Sequence, residues 1–316
     1  MNASLEQINA TVNNCGQNSP YLLANEGEYQ NWRARKLQYR QELSATRVFE
    51  LDAQGRMPRS MLEPLRKQVA AYNFVIFESV SEFDKTEFLA LNRQFGLVEL
   101  DANLGADEDS VTSLQVVGDT DDRAQYIPYT NRAMNWHTDG YYNPYERRID
   151  AFALYCVNQA GRGGGNYLFD HEMMYMLIRD QSPEALGALM CGDMLRIPAN
   201  VQDNRIIRAE ESGPVFSLQS NNCALNMRYT SRPQNIVWKT DKRSTDALNL
   251  VREILMDGSA MIEVRLQQHQ GIVCNNVLHG RQAFHDMAEQ PARLIYRARY
   301  QNAIDLDKGL CMEASS

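Results

Sequence analysis

The sequence predicts a mainly antiparallel β protein with flanking helices, built on a double-stranded β-helix core of the jelly-roll or cupin-like kind. Short β-rich runs separated by turn residues dominate the second half of the 316-residue chain, which is typical of such a core. Helical patterns are concentrated in the N-terminal part, and we expect these helices to cover one outer face. No internal repeat, low-complexity tract or inter-domain linker is visible.

Composition and charge argue against several classes of protein. Hydrophobic residues make up 44% of the chain, which is enough for a packed core. The net charge of −8 argues against a nucleic-acid binder, because such proteins usually present a basic stripe. No apolar run approaches the ~18 residues that span a membrane, and the N-terminus lacks the features of a secretory signal. We therefore expect a cytoplasmic protein with neither nucleic-acid nor membrane partners.

The cysteines point to the same compartment. Six are scattered through the chain without a Cys-x-x-Cys motif, which suggests reduced thiols in the cytoplasm. Cys156 and Cys274 lie in apolar runs, and small core residues explain them better than metal ligands.

The chain is predicted to comprise an N-terminal helical arm at 1–44 and one domain at 45–316. The arm is polar, has helical potential at 26–43, and is expected to serve packing or oligomerisation. Within the domain, residues 97–131 are acidic and loop-like. A long loop just before a metal motif is typical of an active-site lid, although a solvated surface loop would have the same composition.

Elements of the domain follow from apolar periodicity. β-rich runs predict strands at 48–51, 74–77, 114–117, 149–157, 166–169, 261–266, 271–278 and 293–300. Helical spacing predicts helices at 59–72, 82–95, 171–191 and 244–256. The stretch 194–228 predicts short strands with turns. The glycine-rich run 161–165 predicts a turn, because it lacks the strand–GxGxxG–helix context of a nucleotide-binding loop.

The most informative pair is His137 and Asp139, in the segment 135–142 with sequence NWHTDGYY. In an extended chain, residues two apart point to the same side, so both side chains can reach one point. An imidazole and a carboxylate are two thirds of the facial triad that holds non-haem Fe(II). The pair alone is a weak signal, because the chain has 5 His and 40 Asp or Glu. A surface-loop histidine near an acid is the ordinary alternative.

A second set of candidates lies near the C-terminus. The strand 271–278 runs directly into His279, and Arg293 opens the strand 293–300. Positions 293, 295, 297 and 299 share one face, and three of them are arginine. An exposed edge strand would explain this face, whereas a face inside the barrel would need anionic partners for its guanidinium groups. A dicarboxylate co-substrate supplies one such partner, because the planar guanidinium matches a carboxylate.

In this order and spacing, His137-x-Asp139, a distant His279 and then Arg293 resemble the iron(II)- and 2-oxoglutarate-dependent dioxygenases. The pattern is most similar to the branch of taurine dioxygenase and 2,4-dichlorophenoxyacetate dioxygenase, which also includes clavaminate synthase and the γ-butyrobetaine hydroxylases. The resemblance covers roughly residues 45–301. Its best segments are 136–142, 163–169 and 275–300.

This resemblance implies an iron site and a reaction. His137, Asp139 and His279 would ligate Fe(II), which leaves three coordination positions for the co-substrates 2-oxoglutarate and O2. The implied reaction is hydroxylation of an unactivated C–H bond with release of succinate and CO2. Halogenating relatives lack the carboxylate ligand, so Asp139 favours hydroxylation. Desaturation and ring closure use the same triad, and a biosynthetic desaturase or cyclase is therefore an alternative.

The resemblance also implies which residues hold the co-substrate and the substrate. Arg293 would pair with the distal carboxylate of 2-oxoglutarate. Asn166 occupies the threonine position of a Gly-Gly-acid-Thr element whose hydroxyl helps to bind 2-oxoglutarate, and the Asn166 amide can donate a hydrogen bond instead. Arg297 matches a position that often meets an anionic group, which suggests a small substrate carrying a carboxylate, sulfonate or phosphonate.

Several other residues are ambiguous on sequence alone. Four residues could line the substrate pocket, although a core or supporting role would explain each of them equally well. They are Asn135, Tyr141, Tyr142 and Arg228. His285 competes with His279 for the ligand role, but it lies in a polar turn whereas His279 follows an apolar strand. His171 and His269 are most simply surface or supporting residues.

Two alternative functions belong to other classes of protein. The first is a non-catalytic metal-binding or ligand-sensing module of cupin-like fold. The second, a zinc hydrolase, fits poorly because neither His-Glu-x-x-His nor a Cys-rich ligand set occurs. The sequence leaves open the primary substrate, the pathway and whether the chain forms a homo-oligomer.

Overall fold

The computed structural model describes residues 18–43, 47–101, 110–118, 120–202, 205–219, 223–234 and 236–313. It has two compact units. The first comprises Met1–Gln38, Trp136–Arg148 and Phe169–Met261, and the second comprises Tyr39–Asn135, Ile149–Leu168 and Ile262–Ser316. Parts of the predicted arm (1–17 and 44) and of the predicted lid (102–109 and 119) lie outside the described residues.

Strands and short helices alternate along the described chain. The helices are α1 (Glu26–Glu42), α2 (Leu62–Tyr72), α3 (Lys85–Gln94), α4 (His171–Gln181), α5 (Pro183–Leu189), α6 (Lys242–Asp257) and α7 (Leu306–Glu313). The strands up to the glycine-rich turn are β1 (Val48–Glu50), β2 (Phe74–Glu78), β3 (Thr112–Leu114), β4 (Met134–His137) and β5 (Ala151–Asn158). The next are β6 (Arg162–Gly163), β7 (Asn166–Phe169), β8 (Leu195–Ile197), β9 (Asn200–Gln202), β10 (Arg205–Arg208), β11 (Glu211–Gly213) and β12 (Phe216–Leu218). The last are β13 (Leu225–Met227), β14 (Val237–Trp238), β15 (Ile262–Val264), β16 (Gln270–Cys274), β17 (Leu278–Arg281), β18 (Phe284–His285) and β19 (Leu294–Tyr300).

Two β-sheets form the framework of the second unit. A six-stranded sheet has the order β1-β2-β16-β5-β19-β3, and a four-stranded sheet has the order β15-β7-β17-β4. β1 pairs with β2 in parallel, whereas β2, β5, β16, β19 and β3 pair in antiparallel fashion. This is the mainly antiparallel core that the sequence predicts.

One apolar cluster joins the two sheets. It contains Leu154, Ile272 and Ile295 from the six-stranded sheet together with Leu168 and Val264 from the four-stranded sheet. Inner faces that interdigitate in this way are the basis of a β-sandwich or jelly-roll core. The cluster therefore marks the interior of the barrel.

Helices cover the other face of the six-stranded sheet. A second cluster combines Val273 and Ala298 of the sheet with Leu65 of α2 and Phe88 of α3. Strand β5 is buried on both faces, because its alternate residues enter the two clusters, and this explains its nearly continuous apolar sequence. The helical cover is the one that the N-terminal sequence predicts.

The first unit contains helices α4, α5 and α6 and several small sheets. The predicted helix at 171–191 is broken in two at Ser182, whose side-chain oxygen accepts from the Ala185 amide at 3.1 Å and caps α5. Pro183 occupies the first turn of α5, where its missing N–H costs no hydrogen bond. The helical period continues through this break, so apolar spacing alone did not reveal it.

Helix α1 occupies 26–42 of the predicted arm. The ammonium of Lys36 is buried, with Nζ lying 2.7 Å from carboxylate oxygens of both Asp170 and Glu172. Those acids stand at the start of α4, so the ion pairs attach α1 to that helix. The oligomerisation role of the arm stays a prediction, as does the lid role of 97–131, whose described part includes β3.

The cysteines only partly match expectation. Cys156 and Cys274 are free thiols buried in the inner cluster, as the apolar runs indicated. Cys223 is disulfide-bonded, so the expectation of reduced thiols is wrong at this position. Sequence spacing alone does not show which cysteines are paired.

The described helices include none with the length and apolar character needed to cross a lipid bilayer.

Candidate active site

The structure brings His137, Asp139 and His279 together. One ligand atom from each side chain lies within 4.8 Å of the others. Asp139 is only 6% exposed, and both histidines are half-buried. Two imidazoles and one carboxylate at this spacing are the donor set of a facial triad.

Neighbouring strands carry the two histidines. His137 ends β4 and His279 lies in β17, and these strands are adjacent in the four-stranded sheet. Gly280 allows their close approach, because a Cβ atom at this position would lie 2.8 Å from the carbonyl oxygen of Met134. A larger residue would force the strands apart.

The segment after β13 supports the backbone that carries His137 and Asp139. Thr230 forms an antiparallel bridge with His137. The Thr138 amide donates to the Tyr229 carbonyl at 3.0 Å, and the Tyr229 amide donates to the Thr138 hydroxyl at 3.1 Å. These bonds fix the backbone on both sides of Thr138, which separates the two ligands.

A hydrogen bond sets the tautomer of His279. Its Nδ1 lies 2.9 Å from the carbonyl oxygen of Val277. A carbonyl can only accept, so Nδ1 carries the proton and Nε2 is left as the atom available to a metal. The ring also packs on Phe152 at a centroid distance of 4.4 Å, which restricts its orientation.

The other histidines lie elsewhere. His285 is exposed in β18, where it pairs with Arg162 of the distant strand β6, and it is not part of the ligand cluster. His171 is buried at the start of α4 with Nε2 lying 3.1 Å from the Leu225 carbonyl oxygen, so a surface position for His171 is wrong. His269 is half-buried.

The arginine-bearing face of β19 points into the barrel. Ile295 on that face belongs to the inner cluster, and β19 lies between β5 and β3. The alternative of an exposed edge strand is therefore wrong. Arg299 forms a buried ion pair with Asp101, whereas Arg297 is half-buried.

Arg293 lies in a different environment. It is 5% exposed, and its Nη1 is buried without a hydrogen-bond partner among the described residues. Burial lowers the pKa of the guanidinium to about 10. A buried cationic donor without a partner is costly unless an anion binds it, so this position suits a carboxylate ligand.

A small cavity contains this guanidinium. It is lined by Cys156, Ala160, Gly164, Asn166, Arg293 and Ile295, among others. Within the described part of the chain, the side-chain amide of Asn166 donates over a long distance of 3.5 Å to the Val264 carbonyl oxygen. Gly163 at the rim has a φ of 76° and approaches the Ala283 carbonyl so closely that a Cβ atom would lie 2.2 Å from it, which explains the glycine.

Sequence reasoning missed Arg281. It is 4% exposed, and its Nη2 donates to the carbonyl oxygens of Thr130 at 2.7 Å and Arg132 at 2.6 Å. Its guanidinium carbon lies 4.9 Å from the centroid of Phe284, and that of Arg293 lies at the same distance. Arg281 thus holds the segment that leads into β4, and its place two residues after His279 was the only available signal.

The remaining predicted residues lie on or near the loop that carries Asp139. Asn135 is exposed on β4. Tyr141 is buried and Tyr142 is exposed, and their rings meet edge to face at 5.3 Å. Nε of Arg228 donates to the carbonyl oxygen of Tyr141. None of these contacts assigns a substrate role by itself.

The residues fit Fe(II) and 2-oxoglutarate. The triad offers the mixed nitrogen and oxygen donors that non-haem iron prefers. The unpartnered Nη1 of Arg293 can donate to the distal carboxylate of 2-oxoglutarate in a charge-assisted hydrogen bond.

Comparisons with known proteins agree with this chemistry. The family described as "Taurine catabolism dioxygenase TauD, TfdA family" matches residues 35–299. A uridine-5'-phosphate dioxygenase from Streptomyces sp is 27% identical over 278 residues, covering 83% of this chain and 98% of the relative. A uridine-5'-phosphate dioxygenase from Amycolatopsis sp is 29% identical over 180 residues, covering 55% of this chain and 63% of the relative.

Solved structures share the fold. The non-heme iron oxygenase OrfP in complex with Fe and alpha-ketoglutaric acid superposes with a TM-score of 0.57 at 15% identity, covering 88% of this chain and 93% of OrfP. Asparagine oxygenase in complex with Fe(II), 2S,3S-3-hydroxyasparagine and succinate superposes with a TM-score of 0.52 at 14% identity, covering 93% and 89%. The predicted fold class is thereby confirmed.

Proposed function

Because the chain belongs to the TauD/TfdA dioxygenase family, we propose that it hydroxylates an unactivated C–H bond of a small anionic metabolite, releasing succinate and CO2. The predicted family is confirmed, and the protein is an oxidoreductase that uses Fe(II), 2-oxoglutarate and O2. The reading as a non-catalytic module is therefore wrong. The proposal concerns the identity of the substrate and the product of its oxidation.

The proposal rests chiefly on the cluster of His137, Asp139 and His279. These side chains would hold Fe(II), which with 2-oxoglutarate and O2 supplies the oxidising power that breaks a C–H bond. Arg293 would bind the distal carboxylate of 2-oxoglutarate, and Asn166 in the same cavity would donate a further hydrogen bond. Their burial limits water around the bound co-substrate.

The primary substrate is proposed to carry a phosphate. Two relatives are named uridine-5'-phosphate dioxygenases, and one of them is matched over 98% of its length. A phosphate shares the negative charge of the carboxylate, sulfonate or phosphonate that the sequence suggested. Uridine 5'-phosphate (UMP) is therefore the first substrate to test.

Product analysis tests this proposal. Protein with Fe(II), 2-oxoglutarate and O2 is incubated with UMP, and succinate and product mass are measured. We expect succinate release that depends on UMP and a product that has gained one oxygen. A product that has lost two hydrogens would favour the desaturase or cyclase alternative. No UMP-dependent succinate would contradict UMP as substrate, and the same assay then screens other phosphorylated metabolites.

A further inference from the structure

We propose that Arg228 binds the phosphate group of the primary substrate. The inference rests on the proposed function, because it concerns the substrate of the same reaction. Arg228 follows β13 in the first unit, whereas Arg293 and Arg297 belong to the second.

Arg228 is held at both its backbone and its side chain. Its backbone amide donates to the Val215 carbonyl oxygen at 2.7 Å, and its Nε donates to the carbonyl oxygen of Tyr141. Gly213 leaves room for the guanidinium, because a Cβ atom there would lie 2.9 Å from Nη1. The guanidinium is thus fixed before any ligand arrives, which reduces the entropy cost of binding.

One donor atom of this fixed group is unused. Nη2 of Arg228 is buried and has no hydrogen-bond partner among the described residues. A buried donor without a partner costs roughly 1–3 kcal/mol, and more when the group is charged. An anionic oxygen at Nη2 would remove this cost and gain a charge-assisted hydrogen bond.

Two other charged groups act on Arg228. Burial lowers the pKa of Arg228 to about 10, the carboxylate of Glu211 raises it, and the more weakly acting positive charge of Arg208 lowers it. Arg208 donates its own Nη2 to the Pro198 carbonyl oxygen at 2.8 Å, so it contributes charge from a fixed position. Arg228 and Arg208 together carry one more charge than the single carboxylate of Glu211 balances, and a phosphate can neutralise this remainder.

The position of the site connects it to the chemistry. Tyr141, whose carbonyl holds Arg228, follows the carboxylate ligand Asp139 by two residues in the same loop. The loop is a tight turn in which the Asn143 amide donates to the Gly140 carbonyl at 2.8 Å. A phosphate bound at Nη2 would therefore be anchored beside the loop that carries a metal ligand.

Binding measurements under anaerobic conditions test the site without turnover. The holoenzyme with Fe(II) and 2-oxoglutarate is titrated calorimetrically with UMP, uridine and inorganic phosphate. We expect Arg228→Gln to weaken UMP binding by about 10- to 100-fold, the loss of one charge-assisted hydrogen bond. Uridine and 2-oxoglutarate affinity should be unchanged, and Arg228→Lys, which keeps the charge, should weaken UMP less.

The matched control is Arg232→Gln, because Arg232 is exposed in the same segment; its UMP affinity should equal that of the wild type. Unchanged UMP binding in Arg228→Gln would overturn the proposal. So would an equal loss for UMP and uridine, which would show that Arg228 acts only through the Tyr141 loop. If Arg228→Gln does not fold, the same comparison is made with Arg228→Lys.

The titration with inorganic phosphate distinguishes a failure of this inference from a failure of the proposed function. If the wild type binds neither UMP nor uridine, the nucleotide substrate is wrong while the anion site is still under test. Wild-type protein should then bind inorganic phosphate weakly, and Arg228→Gln should bind it at least about tenfold more weakly. Absence of phosphate binding in that wild-type protein would overturn the anion site itself.

Discussion

The guanidinium of Arg299 forms an ion pair with the carboxylate of Asp101, and the two side chains are only 2% and 1% exposed. Arg293 directly precedes β19 and lines one cavity with Ile295 of its inner face, yet the Nη1 of Arg293 has no partner among the described residues. One arginine is therefore neutralised by the protein, and the other is available to a ligand.

Breaking the Asp101–Arg299 pair should destabilise the protein strongly. Asp101→Asn leaves the Arg299 charge buried, and removing one partner of such a pair typically costs about 3–5 kcal/mol. Urea unfolding followed by circular dichroism measures this loss. The control is Arg66→Gln, whose exposed pair with Asp307 should contribute less than about 1 kcal/mol. Equal stability of Asp101→Asn and wild type would refute the structural role of the pair.

Arg293→Gln should raise the apparent KM for 2-oxoglutarate by at least about tenfold, because a carboxylate would lose a charged partner in a buried cavity. Initial rates at varied 2-oxoglutarate measure the change. Arg297→Gln provides the comparison, since it removes a half-buried guanidinium from the same strand and should leave the KM for 2-oxoglutarate unaltered. If the KM for 2-oxoglutarate is unaltered in Arg293→Gln and raised in Arg297→Gln, then Arg297 and not Arg293 binds the co-substrate.

Asp139→Ala should abolish hydroxylation and weaken iron binding, because the triad would lose its only anionic ligand. Product formation and the iron retained after gel filtration are the two measurements. Glu146→Ala removes an exposed acid from the same loop and should leave both unchanged. Full activity of Asp139→Ala would show that the carboxylate ligand is a different residue.

Arg281→Gln should loosen the segment that precedes β4. The guanidinium donates to the carbonyl oxygens of Thr130 and Arg132, and we expect a loss of roughly 1–3 kcal/mol in unfolding free energy. Hydrogen exchange should accelerate at residues 128–132. Arg162→Gln, an exposed position on β6, is the control. Unchanged exchange in Arg281→Gln would mean that other contacts hold this segment.

The metal site was the part most accessible to sequence reasoning. Ligand chemistry restricts the residue types, so His137 and Asp139 stand out by their spacing and His279 by its place after an apolar strand. The alternation of the predicted strand 293–300 placed three arginines on one face, and only the inner cluster around Ile295 showed that this face points inward.

The supporting contacts could not be predicted. Arg281 binds backbone carbonyls about 150 positions away in sequence, and carbonyls have no residue-type signature. Asp101 is one of many acids in a polar stretch, and nothing local distinguishes it as the partner of Arg299. Such contacts depend on the tertiary fold, which brings distant segments together.

The most direct test of the central claim is the visible spectrum of anaerobic protein with Fe(II) and 2-oxoglutarate. Chelation of 2-oxoglutarate to iron in such a triad produces a weak charge-transfer band in the middle of the visible range. We predict this band in the wild type and its loss in His279→Ala. Absence of the band in wild-type protein shown to contain iron would contradict the assignment of His137, Asp139 and His279 as a site for Fe(II) and 2-oxoglutarate.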